Sequence, residues 1–248
     1  MKSEKIQKVL ANLGLASRRQ IEQWIADGRI IVDGKIAKLG DRVTDQEKIS
    51  VDGRLVKRIP AKTLTARVLI YHKPIGEVCT RSDEKNRKTV FDSLPILHNA
   101  RWVSVGRLDI NTSGLLLFTN NGELANRLMH PSKQIEREYS VRVLGAVSQE
   151  ILDNLLHGVK LEDGHARFVK IRRVRSFESD AANQWYHVVL REGRNREVRR
   201  LWESQGLKVN KLSRIRFGGI KLPRSLPRGQ WVELSDREVK ALLRRVGL

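Results

Sequence analysis

The sequence predicts an α+β chain in two parts: a small N-terminal unit, then a larger unit built on a largely antiparallel mixed sheet with flanking helices. Three observations carry this. From residue 67 onward, strand-like and helix-like segments follow one another without regular βα alternation. The first 60 residues hold two short helical patterns and two Asp-Gly hairpin signals, with little apolar material for a core of their own. Between them, KRIPAKTLTA (57–66) has proline, threonine and lysine but no period, and reads as a linker. The expected boundaries are 1–60, a linker at 61–66, and 67–248.

Each element has a local reason. Ile6, Val9, Leu10 and Leu13 fall at helical spacing over 4–13, and Gly14 ends that helix. Ser17 with Gln20 three residues on forms a capping-box signal for a second helix, whose stripe is Ile21, Trp24 and Ile25 and whose end is Gly28. IIVDGKIA (30–37) and ISVDGRLV (49–56) each place Asp-Gly between aliphatic runs, the signal of a tight hairpin. In the larger part, VLIYHKP reads as a strand stopped by Pro74, LLLFTNNG as a strand entering an Asn-Gly turn, and YSVRV as a strand. ARFVKIRRVRS, QWYHVVLREG, LSRIRFGGIKL and WVEL read as further strands. Helices are expected at 122–129, 148–157, 195–205 and 235–246, the last opened by a Ser235/Glu238 capping box.

Charge is the strongest global signal. The chain has 248 residues, 48 Lys/Arg against 28 Asp/Glu, and a formal net charge of +20. Residues 190–228 alone carry 12 Lys/Arg and 3 Asp/Glu, whereas residues 1–60 carry 13 and 8. Such clustering favours a polyanionic partner, since each neutralised phosphate releases counterions. In the N-terminal part, Lys8, Arg18, Arg19, Arg29, Lys35 and Lys38 would form a basic face. Cys79 is the only cysteine, which excludes an internal disulfide and a cysteine-rich zinc site. Six histidines (His72, His98, His130, His157, His165, His187) stand singly, so no metal is expected. Phosphate-loop, dinucleotide-binding and nucleophile-elbow glycine motifs are missing, which disfavours NTP hydrolysis, dinucleotide redox and serine hydrolysis. No cofactor, no membrane span, a cytoplasmic location and a monomer are expected.

One stretch raises a chemical question. In VGRLDINTSGLLLFTNNG (105–122), Asp109 stands in an apolar run broken by glycines and hydroxyl residues. It is either a turn residue facing water or a carboxylate held in a cleft. On helix 195–205, Val198, Leu201 and Trp202 share one face and Arg196, Arg199 and Arg200 the opposite one. With Arg194 in the preceding loop they suit a phosphate or carboxylate, against the alternative of a solvated face. Tyr139 is either a half-buried strand tyrosine or a platform for a nucleobase. Lys73 in YHKPIG is either a turn residue or an RNA contact.

GRLDINTSGLLLFTNNGELANRLMHP strongly resembles the catalytic motif of the RsuA-type pseudouridine synthases. KPIGEVCTR is similar to that family's first motif, EREYSVRV to its tyrosine motif, and EGRNREVRRLWE to its C-terminal arginine motif. Residues 2 to about 50 resemble the alpha-L RNA-binding fold of a small-subunit ribosomal protein, often fused to these synthases. The resemblance covers nearly the whole chain, with its motifs in order.

The resemblance implies isomerisation of uridine to pseudouridine in RNA, with Asp109 as nucleophile and Tyr139 packed against the target base. It further implies Arg107 holding the extruded nucleotide and Arg199 pairing with the aspartate. Arg137 stands where the wider family often has lysine and receives no role. The combination of ARWVSVGRLD, EREYSVRV, NQWYHV and LPRGQWVEL most resembles family members acting on large-subunit ribosomal RNA, as free RNA or an assembling subunit. RNA contacts are expected from Lys73, Arg107, Arg194, Arg196 and Arg200, and from Lys8, Arg18, Arg19, Arg29 and Lys35. The chemistry needs no redox change or energy input. An ionised carboxylate serves three routes: attack on the ribose anomeric carbon, attack on carbon 6 of the base, or ribose deprotonation to a glycal-like intermediate. Each requires a flipped base. The alternatives are the same chemistry at another ribosomal RNA site and a non-catalytic RNA-binding or ribosome-assembly protein.

Overall fold

A computed structural model describes residues 3–57, 65–98, 100–174 and 183–248. Contacts divide the chain into two compact units. The first is residues 1–67 with 95–103 and 120–122; the second is 68–94, 104–119 and 123–248.

In the first unit, β1 (Glu4–Lys5) leads into α1 (Ile6–Asn12), and Gly14 follows with φ +85°. The helix expected over 4–13 is thus shorter, because Glu4 and Lys5 pair with β4 (Arg42–Val43) instead. α2 (Arg18–Ala26) starts at Ser17, whose hydroxyl accepts from the Gln20 amide at 3.1 Å. Both Asp-Gly signals form hairpins: β2 (Ile30–Val32) with β3 (Lys35–Ile36), and β5 (Ile49–Val51) with β6 (Arg54–Leu55). Asp33 and Asp52 both take positive φ, 46° and 51°, followed by Gly34 and Gly53 at 79° and 76°, as the tight hairpin turn requires. Ile6, Leu10, Ile21, Ile25, Ile30 and Ile49 close a small core between helices and sheet.

The second unit is organised by one large sheet. Its strands are β7 (Val68–Lys73), β9 (Ser113–Thr119) and β10 (Arg137–Leu144), the short β8 (Val103–Ser104) straddling the division at 103/104. Then come β13 (Lys170–Val174), β14 (Asn183–Leu190), β15 (Lys208–Phe217), β16 (Ile220–Lys221) and β17 (Trp231–Glu233), while β11 (Val159–Leu161) and β12 (Gly164–Ala166) form a separate hairpin. The sheet runs β13-β14-β10-β15-β9-β7-β17. Every pairing along it is antiparallel except β15 with β9, which makes the sheet mixed. All seven residues of β9 are buried, so it reads as a continuous apolar strand rather than an alternating one.

The helices are α3 (Gly122–Met129), α4 (Gln149–His157), α5 (Glu197–Glu203) and α6 (Asp236–Val246). α4 opens with Ser148 accepting from Ile151 N, and α6 with the Glu238 carboxylate accepting from Ser235 N and Oγ at 2.8 and 2.7 Å. The apolar face of α5 packs as its spacing predicts: Trp202 is fully buried, its ring 5.3 Å from Tyr186 and 5.9 Å from Phe168.

Several expectations need correction. The Asn-Gly after β9 is no hairpin turn, because Gly122 is the first residue of α3. The helix expected at 195–205 is only 197–203, because Arg196 takes φ 50° in the left-handed region. The strand expected across ARFVKIRRVRS begins at Lys170, and the β11–β12 hairpin before it had no sequence expectation. Part of the expected linker, 58–64, lies outside the described residues, as does 175–182 at the end of that strand.

Candidate active site

Residues 105–112 form a loop that enters β9, and each carbonyl of its second half, 108–112, is held. Leu108 O accepts from Cys79 Sγ at 3.2 Å, and Ile110 O from Gly76 N at 2.9 Å. Asn111 O accepts from Arg199 Nη2 at 3.1 Å, and Asp109 O from Thr112 N at 3.0 Å. Lys73 Nζ donates to Asp109 O (3.2 Å), Thr112 O (2.9 Å) and Pro74 O (2.9 Å). Five consecutive carbonyls, from 108 to 112, are therefore fixed by groups outside the turn. Such a loop presents its side chains with little freedom.

Lys73 is accordingly not an RNA contact. It is fully buried, and its ammonium sits among three carbonyls, so burial pushes it below its ordinary pKa while neighbouring Cys79, Glu77 and Asp109 oppose this. The Lys-Pro-x-Gly pattern could not reveal this, because two of the three acceptors lie 36 and 39 residues downstream.

Above the loop opens a cavity of about 400 Å³, large enough for a nucleotide base with its sugar. Asp109, Arg107 and Tyr139 line it together with Arg194 and Arg196. Asp109 is half-buried and Arg107 exposed at the rim. No hydrogen bond or ion pair reaches the Asp109 carboxylate among the described residues. Tyr139 is 8% exposed on β10, its register partners being Val188 on β14 and Arg214 on β15.

Arg199 does not form the expected ion pair with Asp109. Its Nη1 donates to Val209 O at 2.8 Å and its Nη2 to Asn111 O, so the guanidinium clamps the loop two residues past the aspartate. Burial pushes this guanidinium down, Arg196 adds to that, and the Asp109 charge opposes both. The aspartate is thus close enough to act on Arg199 through space without a direct bond. Arginine stays charged throughout this range.

Arg194 and Arg200 are tied to Asp163, in the β11–β12 turn. Arg200 grips it bidentately at 2.8 and 2.8 Å. Arg194 reaches Asp163 O and His165 O and also pairs with Glu192 at 2.8 Å. Rather than free RNA-binding cations, these two dock the hairpin on α5; no local sequence pattern links residues 31 and 37 apart. Arg196 is exposed, 3.6 Å from Glu203, at the cavity wall. The wall also holds Arg137, Glu197 and Arg214, none of which had an expected role. Arg137 Nη1 donates to Ile135 O, Arg191 O and Glu192 O. Glu197 accepts from Arg194 N at 3.0 Å, and burial pushes its carboxyl up.

In the N-terminal unit, Arg18, Arg19, Lys35 and Lys38 are exposed as expected. Two members of that face are engaged. Lys8 pairs with Glu4 at 2.5 Å, and Arg29 forks onto Asp52 at 2.8 and 2.6 Å while lying over Trp24. Among the described residues no helix is long and apolar enough to cross a membrane.

A carboxylate on a hydrogen-bonded loop, a buried tyrosine and several arginines thus line one cavity on a mixed sheet. Comparison with known proteins gives the family. Residues 67–204 match the RNA pseudouridylate synthase family, and residues 4–49 match the S4 domain. The chain is 56% identical over 248 residues to ribosomal large subunit pseudouridine synthase B of Escherichia coli (strain K12), covering 99% of this chain and 84% of that protein. It is 56% identical over 245 residues to the protein of the same name from Pseudomonas aeruginosa, of which it spans 63%. A solved structure, "Crystal structure of pseudouridylate synthase", superposes with a TM-score of 0.65 at 26% identity, covering 96% of this chain and 99% of that one. The chain belongs to the RNA pseudouridylate synthase family, with an S4 domain preceding the synthase region.

Proposed function

We propose that this protein isomerises a specific uridine to pseudouridine in large-subunit ribosomal RNA. The observation that carries the reading is the meeting of Asp109 and Tyr139 in one cavity, with the Asp109 loop locked carbonyl by carbonyl. Family membership and 56% identity to proteins named for that reaction support the substrate.

In this reading the target nucleotide leaves its stack, which costs a few kcal/mol, and enters the cavity. Tyr139 packs against the base, and Arg107 at the rim holds the extruded nucleotide. Asp109 acts as nucleophile on the ribose or the base, or as the base that removes a ribose proton; its carboxylate has no competing partner among the described residues. Arg199 acts as a positioning residue: it fixes the loop through Asn111 O and keeps a positive charge near the carboxylate. The base detaches at nitrogen 1, turns, and rejoins through carbon 5.

Phosphate contacts supply the affinity. The exposed cations Arg18, Arg19 and Lys35 of the S4 domain, with Arg107 and Arg196 at the cavity, are the contacts proposed. Replacing Arg18, Arg19 and Lys35 together by Ala should lower the slope of log affinity against log salt by about 2 to 3, since each lost phosphate contact removes roughly 0.7–0.9. An unchanged slope, measured by filter binding across a salt series, would refute a docking role for that face.

The substrate itself is tested by mapping pseudouridines in ribosomal RNA from cells with and without the gene. One large-subunit position should revert to uridine in its absence. A change confined to small-subunit RNA would refute the target, and no change at all would favour a non-catalytic binder.

A further inference from the structure

We propose that Arg214 is the residue that recognises the flipped base as uracil, donating to its O4 carbonyl from the floor of the cavity. The proposal rests on the reading above and extends it to a side chain for which the sequence motifs imply no role.

Arg214 is 2% exposed and lines the cavity. Its Nε donates to Leu115 O at 2.7 Å, and its guanidinium lies 5.4 Å from the Phe217 ring. Its Nη2 is sealed without an acceptor, and its Nη1, which is not sealed, likewise has no hydrogen-bond or ion-pair partner among the described residues, so Nη1 is the donor open to the cavity. A buried guanidinium with an unused fork is costly to keep, because each unpaired donor loses its hydration without replacement. An acceptor arriving with the substrate would supply what is missing.

The register sets Arg214 between the tyrosine strand and the strand that follows the Asp109 loop. Arg214 is the direct partner of Tyr139 on β10 and of Gly114 on β9, the strand entered from the Asp109 loop. Asp109, Tyr139 and Arg214 all line the cavity, and in the proposed pose a base packed on Tyr139 with its sugar toward Asp109 presents its far edge to Arg214. In uracil the atom opposite nitrogen 1 is carbon 4, so the group presented is O4. After the base turns and rejoins through carbon 5, the atom opposite the new bond is carbon 2, which presents O2 at the same place. One donor thus serves both the substrate and the product. Cytosine would bring an amino group to the same spot, donor against donor. Depth argues against a phosphate here, since the backbone of a flipped nucleotide stays at the cavity mouth.

The test compares target-site RNAs differing at one position. In full-length protein carrying Asp109→Asn, to prevent turnover, RNA with uridine at the target should bind about tenfold or more tighter than RNA with cytidine, a charged hydrogen bond being worth about that factor. Adding Arg214→Met, which removes every donor while keeping an unbranched side chain, should bring the ratio within about twofold of one, with the melting temperature checked. A preserved ratio in a variant that melts normally, or an equal loss of affinity for both RNAs, overturns the proposal. A substrate-side arm removes any question of folding. The protein with Arg214 intact should bind a pyrimidin-2-one nucleotide, which lacks O4, as weakly as cytidine; binding equal to uridine overturns the proposal. Formation of pseudouridine by the unmodified protein is the control, and its failure overturns the underlying reading instead.

Discussion

Asp109→Asn is expected to lower the rate of pseudouridine formation by roughly 10⁴-fold or more, the scale of loss when a nucleophile or base is removed, while RNA affinity stays within about twofold. The structure makes the second half as firm as the first. The Asp109 side chain makes no hydrogen bond or ion pair among the described residues, so an isosteric amide removes no structural contact. The loop is fixed through its carbonyls, by Lys73, Arg199, Cys79 and Gly76, and those bonds do not depend on the side chain. Single-turnover assays with saturating enzyme, beside equilibrium binding, separate the two quantities. Appreciable turnover would refute the nucleophile assignment. A large loss of affinity would mean that the carboxylate serves binding.

Gly114→Ala is expected to destabilise the synthase unit by about 3 kcal/mol or more, from backbone strain at positive φ and from overpacking. Gly114 sits at φ +106° where β9 runs parallel to β15. A Cβ there would lie 2.6 Å from Arg214 N, 2.7 Å from Ser213 Oγ and closer still to Arg214 O. The backbone of β15 would have to retreat, taking with it the contact that aligns Arg214 with the Asp109 loop. The melting temperature should fall by about 6–12 °C, at 2–4 °C per kcal/mol for a unit of this size. Alanine at this position without a drop in melting temperature would show that the close approach is not what positions these strands.

What was legible in the sequence was whatever has a short range. The Asp-Gly hairpins, the Ser148 start of α4, the Glu238 box and the apolar face of α5 follow from residues within four positions of one another. Asp109 and Tyr139 were legible because their motifs are contiguous, and the fold brings both to one cavity. Long-range partners were not. Asp163 captures Arg194 and Arg200 across more than 30 residues and converts two apparent RNA contacts into the anchor of a hairpin. Lys73 looked like a surface turn because its acceptors at Asp109 and Thr112 belong to a different strand connection. Arg214 looked like one more cation in a basic run, and only the β10–β15–β9 register brings it to the cavity floor. In each case the deciding fact is the low tolerance of a folded interior for unpaired polar groups, which acts through tertiary geometry.

The central claim is that this cavity rejoins uracil to ribose through carbon 5. That step replaces the carbon 5 hydrogen by the glycosidic bond and releases it to water. Incubating the purified protein with large-subunit ribosomal RNA tritiated at carbon 5 of uracil should release tritium until one uridine per RNA has reacted, and Asp109→Asn should release none. No release by the unmodified protein, or equal release by Asp109→Asn, would contradict the account.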